Sequence, residues 1–89
     1  MLDVRKQLQE ADRRITEWRT LVGRQKRRIG EMKKGGHNAA GSITLLREME
    51  VALNSMRHER KIIERRIELH QRLTQATELA RAELSHSAT

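Results

Sequence analysis

Seven basic residues form the chemically most distinctive group in this sequence. They lie between residues 19 and 34, a segment in which Glu31 is the single acidic residue. On a helix they would spread positive charge over three sides and attract nucleic acid, an acidic protein or anionic lipid. The alternative is a solvated face, partly paired with Glu48 and Glu50 of a neighbouring helix. The predicted anion-binding patch consists of Arg19, Arg24, Lys26, Arg27, Arg28, Lys33 and Lys34.

The charge is unevenly distributed along the chain. Residues 1–34 contain eleven Lys and Arg against five Asp and Glu, a net charge of +6, whereas residues 42–89 contain eight against seven, a net charge of +1. The only aromatic residue is Trp18, so base stacking is disfavoured as a way of holding single strands. If the patch binds nucleic acid, we expect contacts with phosphates that do not depend on sequence.

No group of residues has the spacing of a catalytic, cofactor or metal site. Glu64 and Glu68 are surrounded by basic residues, which favours ion pairs within a helix over acid-base chemistry. His58 and His70 would be about 18 Å apart on one helix, too far to share a metal ion. There is no cysteine, and Gly35 and Gly36 lack the flanking residues of a phosphate-binding loop. We therefore expect no enzyme activity, cofactor or metal.

The basic patch lies on a segment with a heptad repeat. Apolar residues recur at alternating spacings of four and three, interrupted once by Gln25, which predicts a coiled-coil helix over residues 2–34. Gly23 and Gly30 weaken the helix without ending the repeat. The predicted seam of this first helix consists of Val4, Leu8, Ala11, Ile15, Trp18, Val22, Ile29 and Met32.

A turn and a longer second helix follow. Lys33 and Lys34 before two glycines favour a helix end, so the turn is predicted at residues 35–38. Asn38 would cap a second helix over residues 39–85, with Ser42 as the alternative cap. The predicted seam of the second helix consists of Leu46, Met49, Leu53, Met56, Ile63 and Ile67, interrupted by Arg60. The predicted fold is an all-α, antiparallel two-helix coiled-coil hairpin forming a single domain.

Further apolar residues lie outside the seams. Folding the chain at the turn places Val22 near Leu53 and Val4 near His70, so the second helix should overhang the first by about ten residues. The apolar stripe shifts phase between residues 62 and 69, before the overhang. An apolar arc this wide is typical of bundles of three or more helices, which favours a homodimer forming a four-helix bundle. A monomeric hairpin and a complex with another protein's helices are the alternatives. The predicted partner surface consists of Leu45, Ala52, Ile62, Leu69, Leu73, Ala76, Ala80 and Leu84.

Three polar residues interrupt or adjoin the seams. Gln25, Arg60 and His70 would each lower stability in an apolar core, and polar residues at such positions can fix the alignment of helices. Arg60 is expected to extend its aliphatic part over apolar neighbours while its guanidinium reaches Glu64 or Asp12. His70 is expected to lie at the frayed start of the first helix rather than to act as a buried polar group.

Four short motifs occur between Ile15 and Ile63. They are Leu-Val at residues 21–22 before Arg24 and Gln25, Gly-His-Asn at 36–38, Leu-Leu-Arg at 45–47 and His-Glu-Arg at 58–60. In these motifs the segment resembles a group of small helical-hairpin proteins of alphaproteobacteria that have no established function. The resemblance implies a short turn capped by Asn38 and implies no activity.

Composition sets the remaining expectations. The chain has 89 residues, 35% of them charged, with no proline, as is typical of long-helix proteins. No apolar run near the start could act as a signal peptide or membrane span, so we expect a cytoplasmic protein. The predicted function is a small protein-interaction or adaptor module that docks by coiled-coil or bundle packing, with itself or another helical protein as partner. The alternative is a basic, sequence-independent nucleic-acid-binding protein that uses the first helix. No small-molecule substrate is evident.

Overall fold

The chain folds as a hairpin of two long helices. The computed structural model describes residues 3–87, which form α1 (Val4–Lys34) and α2 (Ala40–Ser87) joined by a turn at residues 35–39. The helices pack against each other in an elongated particle of 83 × 20 × 15 Å. The predicted all-α hairpin is confirmed.

The first helix begins where an aspartate caps it. The Asp3 side chain accepts a hydrogen bond of 3.0 Å from the backbone amide of Arg5, and its carbonyl accepts one of 3.1 Å from Gln7. An acceptor here satisfies an amide that the helix leaves unbonded. The predicted start at Leu2 lies outside the described residues, and α1 begins at Val4.

The turn stops α1 with a left-handed glycine. Gly36 has φ = +73°, and its amide donates to the Lys33 carbonyl at 3.1 Å while the amide of His37 donates to Met32 at 2.9 Å. These two bonds form a Schellman motif, which satisfies carbonyls at the helix end. Gly35 has φ = −80°, so the left-handed residue of the turn is Gly36.

Gly36→Ala should lower the free energy of unfolding by about 1 kcal/mol, because an L side chain at positive φ is strained. The measurement is chemical denaturation followed by circular dichroism. Gly35→Ala is the control, since its φ is negative and the nearest obstacle to a new Cβ is the exposed His37 ring. An equal effect at both positions would contradict this account of the turn.

The second helix begins after Asn38. The Asn38 Oδ1 accepts a hydrogen bond of 3.0 Å from the amide of Ala40, and the Ala39 carbonyl accepts one of 2.9 Å from Ile43. Asn38 therefore supplies an acceptor to the first turn, one residue before the N-cap position of Ala39. The predicted alternative cap, Ser42, is wrong, because it lies within α2, where its hydroxyl contacts the Met32 sulfur at 3.4 Å. Ala39 belongs to the turn, where it is buried, so α2 starts one residue later than predicted.

The core lies along the seam between the helices. Ile15, Val22 and Leu53 are buried and form its centre. Half-buried neighbours surround them, and every residue of the two predicted seams is buried or half-buried. Ile29 and Ala39 are buried nearer the turn. The residues packed around the centre are Trp18, Leu46, Met49 and Met56.

Leu53→Ala should destabilise the hairpin by about 2 to 4 kcal/mol, because Leu53 is 5% exposed and its loss leaves a cavity in a small core. Val51→Ala is the matched control, since Val51 is 66% exposed. Denaturation midpoints of the two variants check the difference. Similar losses in both would place the core elsewhere.

The end of α2 projects beyond α1. The 48 residues of α2 span about 72 Å and the 31 residues of α1 about 46 Å. Ile67 is the last half-buried seam residue, and every side chain at residues 68–85 is exposed, including His70. This projecting segment, residues 68–87, is termed the α2 extension. The predicted overhang of about ten residues was too short, since α1 starts at Val4 and covers α2 only as far as Ile67.

Candidate functional site

A cationic groove runs between the helices near their middle. Its volume is about 340 Å³, and Val22 and Leu53 form its apolar floor. The walls carry three basic side chains, two from α1 and one from α2. Gly23 and Asn54 also line it, so α1 leaves space between its two basic side chains and α2 offers an amide. The groove is defined by Arg19, Lys26 and Arg57, with Gly23, Glu50 and Asn54 beside them.

The charges in this groove are only partly compensated. Lys26 forms an ion pair with Glu50 at 3.9 Å. Arg19 and Arg57 form no ion pair within the part of the chain that the structure describes. Because each guanidinium offers a planar fork of donors, two of them lining one groove suit a phosphate or carboxylate group.

The predicted anion-binding patch extends over several sides of α1, as the helical projection of the sequence indicated. All seven of its side chains are exposed. Arg19 and Lys26 line the cationic groove, and Lys33, one heptad beyond Lys26, continues the same side of α1. Arg24, Arg27, Arg28 and Lys34 point in other directions around α1 on helical projection. The structure thus brings two of the seven predicted residues together.

Two groove residues were missed by the sequence reasoning. Arg57 and Asn54 belong to α2, whose net charge gives no hint of an anion site. The predicted pairing of Val22 with Leu53 could have identified Arg57 as a groove residue. An antiparallel alignment with that pair in contact places Arg57 across from Arg19.

The opposite side of the hairpin carries apolar residues among a few charged ones. Arg14 and Glu59 line one small groove there, together with Ala11 and Met56. Residues seven apart share a helix face, so Leu21 lies on the same side as Arg14. Ala52 and Leu45, one and two heptads before Glu59, lie there too. We term this surface the apolar side, and it consists of Trp18, Leu21, Leu45, Met49, Ala52 and Met56.

Two leucines of the apolar side are exposed. Leu21 is 42% exposed and Leu45 is 48% exposed. Arg19 is five residues from Arg14, about 140° around α1, so the apolar side and the cationic groove flank the seam on opposite sides. The hairpin therefore exposes two leucines on the side opposite the cationic groove.

The apolar side continues along the α2 extension. Leu73 and Ala80 follow Glu59 by two and three heptads and so continue its side of α2, with a drift of about 20° per heptad in a straight helix. Leu69 and Ala76 lie beside them, and Ile62 precedes them. Every predicted partner-surface residue is exposed except half-buried Ala52.

Polar groups cross the seam at two places. The buried Gln25 donates from Nε2 to the Ser42 carbonyl at 2.9 Å. Arg60 forms ion pairs with both Asp12 of α1 and Glu64 of its own helix, as the sequence predicted. These contacts satisfy polar groups in the seam, so they favour one alignment of the helices over others.

No protein family model, curated protein or solved structure matches the chain. Within residues 3–87, no group of three or more His, Cys, Asp or Glu side chains could hold a metal ion. Neither helix, over its described length, has a stretch long and apolar enough to cross a membrane. The likeness to alphaproteobacterial hairpin proteins stays a hypothesis.

Proposed function

We propose that this protein is a small helix-packing interaction module whose apolar side binds a second copy of the same chain. The observation that carries the proposal is the pair of exposed leucines, Leu21 and Leu45, on a side that continues along the α2 extension. An exposed apolar surface rimmed by polar residues is typical of an interaction site. Both α1 and α2 contribute to this surface, which would form one half of a dimer interface.

A second copy fits this surface for three reasons. A two-helix hairpin of this size has a small core, and association is a common way to supplement it. Twofold pairing buries the same patch twice. The outward-facing residues also include an acidic side chain, Glu59, and a basic one, Arg66, one heptad later. Each can therefore pair with the oppositely charged residue of a second copy.

Sedimentation equilibrium of the full chain at micromolar concentration tests the proposal. We expect about twice the chain mass of 10.4 kDa, persisting at high salt because apolar burial is not screened. A stable, helical monomer at about 100 μM would contradict the proposed function.

A second candidate is binding to the phosphates of nucleic acid through the cationic groove. The observation favouring it is that Arg19 and Arg57, from different helices, line the same groove with no acidic partner among the described side chains. Phosphate contacts need no base recognition, which agrees with the single aromatic, Trp18, being half-buried in the seam. The groove lies opposite the apolar side, so the two activities can coexist.

A further inference from the structure

Resting on the proposed self-association, we infer that two copies pair their α2 helices antiparallel, with the twofold axis near Ile62 and Ile63. In this arrangement each α2 extension lies as a third helix on the partner's apolar side. The hairpin is then an incomplete three-helix unit, and the missing helix is supplied by the second copy. The occupant of the apolar side is thereby a defined segment, residues 68–87 of the partner.

The lengths of the elements agree with this pairing. α2 runs from Ala40 to Ser87, so its midpoint lies beside Ile63 and antiparallel pairing there overlaps nearly the whole helix. The α2 extension is about 30 Å long at a rise of 1.5 Å per residue. It would lie against residues 38–57, namely the last two residues of the turn and the half of α2 that carries the apolar side.

The side chains along this alignment are complementary in size. The partner's Leu73 falls opposite Ala52, and the partner's Ala80 falls opposite Leu45. Each of these pairs sets a large residue against a small one, which lets helices approach closely without overlap or voids. Two further pairs follow from the same alignment, Met49 with the partner's Ala76 and Met56 with the partner's Leu69. All eight residues are apolar.

The charges near the axis are complementary as well. Glu59 falls opposite the partner's Arg66, and the twofold axis repeats this pair. Both side chains are exposed in the hairpin, and neither forms an ion pair among the described residues. Parallel pairing would set Glu59 beside the partner's Glu59 and Arg66 beside the partner's Arg66, and like charges in contact are unfavourable.

The alternative of pairing the two α2 extensions alone is less favourable. It would cover Leu69 and Leu73 but leave Leu21 and Leu45 exposed. The antiparallel α2 pairing covers both regions, because the extension of one copy lies where the other copy exposes its apolar side. Four helices then pass the middle of the dimer and three pass each end.

Charge exchange tests the alignment first. Glu59→Arg or Arg66→Glu alone should weaken the dimer roughly tenfold, since each places like charges together twice. The double variant should restore association to within about threefold of the original, because the pair is remade with its signs exchanged. Additive weakening in the double variant would overturn the proposed alignment.

Disulfide trapping tests it directly, since the chain has no cysteine of its own. Ala52 and Leu73 are about 31 Å apart along one helix, so a disulfide in an Ala52→Cys, Leu73→Cys variant must join two chains. We expect nearly complete cross-linking on mild oxidation, seen on non-reducing gels. The control is Val51→Cys with Leu79→Cys, two positions that are each 66% exposed and lie about 100° around α2 from Ala52 and Ala80. It should cross-link at least tenfold more slowly.

Each outcome of this experiment has one meaning. Selective cross-linking of the double variant, with little from Ala52→Cys alone, supports the antiparallel pairing. Rapid cross-linking of Ala52→Cys alone would indicate parallel helices and overturn it. A dimer by sedimentation that does not cross-link selectively would also overturn the alignment while leaving the proposed self-association standing. A monomer by sedimentation would remove both.

Discussion

The double variant Leu73→Glu, Ala80→Glu should be monomeric at concentrations where the original chain is a dimer. Burying a leucine side chain contributes about 1.5 to 3 kcal/mol, and twofold symmetry counts each substitution twice. The dissociation constant should therefore rise at least about 100-fold. Sedimentation velocity measures the change, and circular dichroism checks that the helices persist, because both residues are exposed beyond the end of α1.

A matched control distinguishes the effect of substituting the apolar side from the effect of adding negative charge to the α2 extension. Leu79→Glu with Ala82→Glu makes the same two residue changes in the α2 extension, and Leu79, like Leu73, is 66% exposed. On helical projection Leu79 lies about 120° and Ala82 about 180° from Leu73, so the control should lose much less affinity. If both variants dissociate equally, added charge rather than the apolar side controls association.

Reversing two arginines should abolish binding to duplex DNA if the cationic groove holds phosphates. We expect Arg19→Glu with Arg57→Glu to weaken binding by roughly 100-fold at low salt, because each removed charged hydrogen bond is worth about 1.5 to 3 kcal/mol. Affinity of the original chain should fall linearly in log salt, with a slope of about −0.9 for each phosphate neutralised. Fluorescence anisotropy with labelled duplex DNA measures both quantities.

The control for the groove changes the same net charge elsewhere. Arg13→Glu with Arg81→Glu leaves the groove intact, and Arg13 already has Glu10 and Glu17 as ion-pair partners. This variant should lose much less affinity than the groove variant. Equal losses would mean that total charge, rather than the groove, attracts DNA. No binding by the original chain at about 50 mM salt would remove nucleic acid as a partner.

Most of the fold could be predicted from the heptad spacing. The run from Val4 to Met32 and the repeat from Leu46 to Ile67 define two stripes that only an antiparallel hairpin can pair within one chain. The two glycines after Lys34 located the turn. Their pattern could not say which glycine is left-handed, since that depends on where the last hydrogen bonds close, and the structure places it at Gly36.

The candidate sites were harder to predict from the sequence than the fold, because each combines residues from both helices. Local charge density identified seven bases of α1 but not Arg57, which completes the cationic groove from α2. The length of the α2 extension depended on the start of α1 at Val4 and the five-residue turn, small offsets that a periodic pattern does not fix. A heptad repeat fixes faces more sharply than it fixes ends.

Small-angle X-ray scattering combined with light scattering on the eluting protein tests the central claim most directly, since it measures mass and length together. Side-by-side association through the apolar side predicts about twice 10.4 kDa with a maximum dimension still near the 83 Å of one hairpin. A particle of 10.4 kDa at the same length would contradict self-association. A dimer much longer than one hairpin would contradict the use of the apolar side.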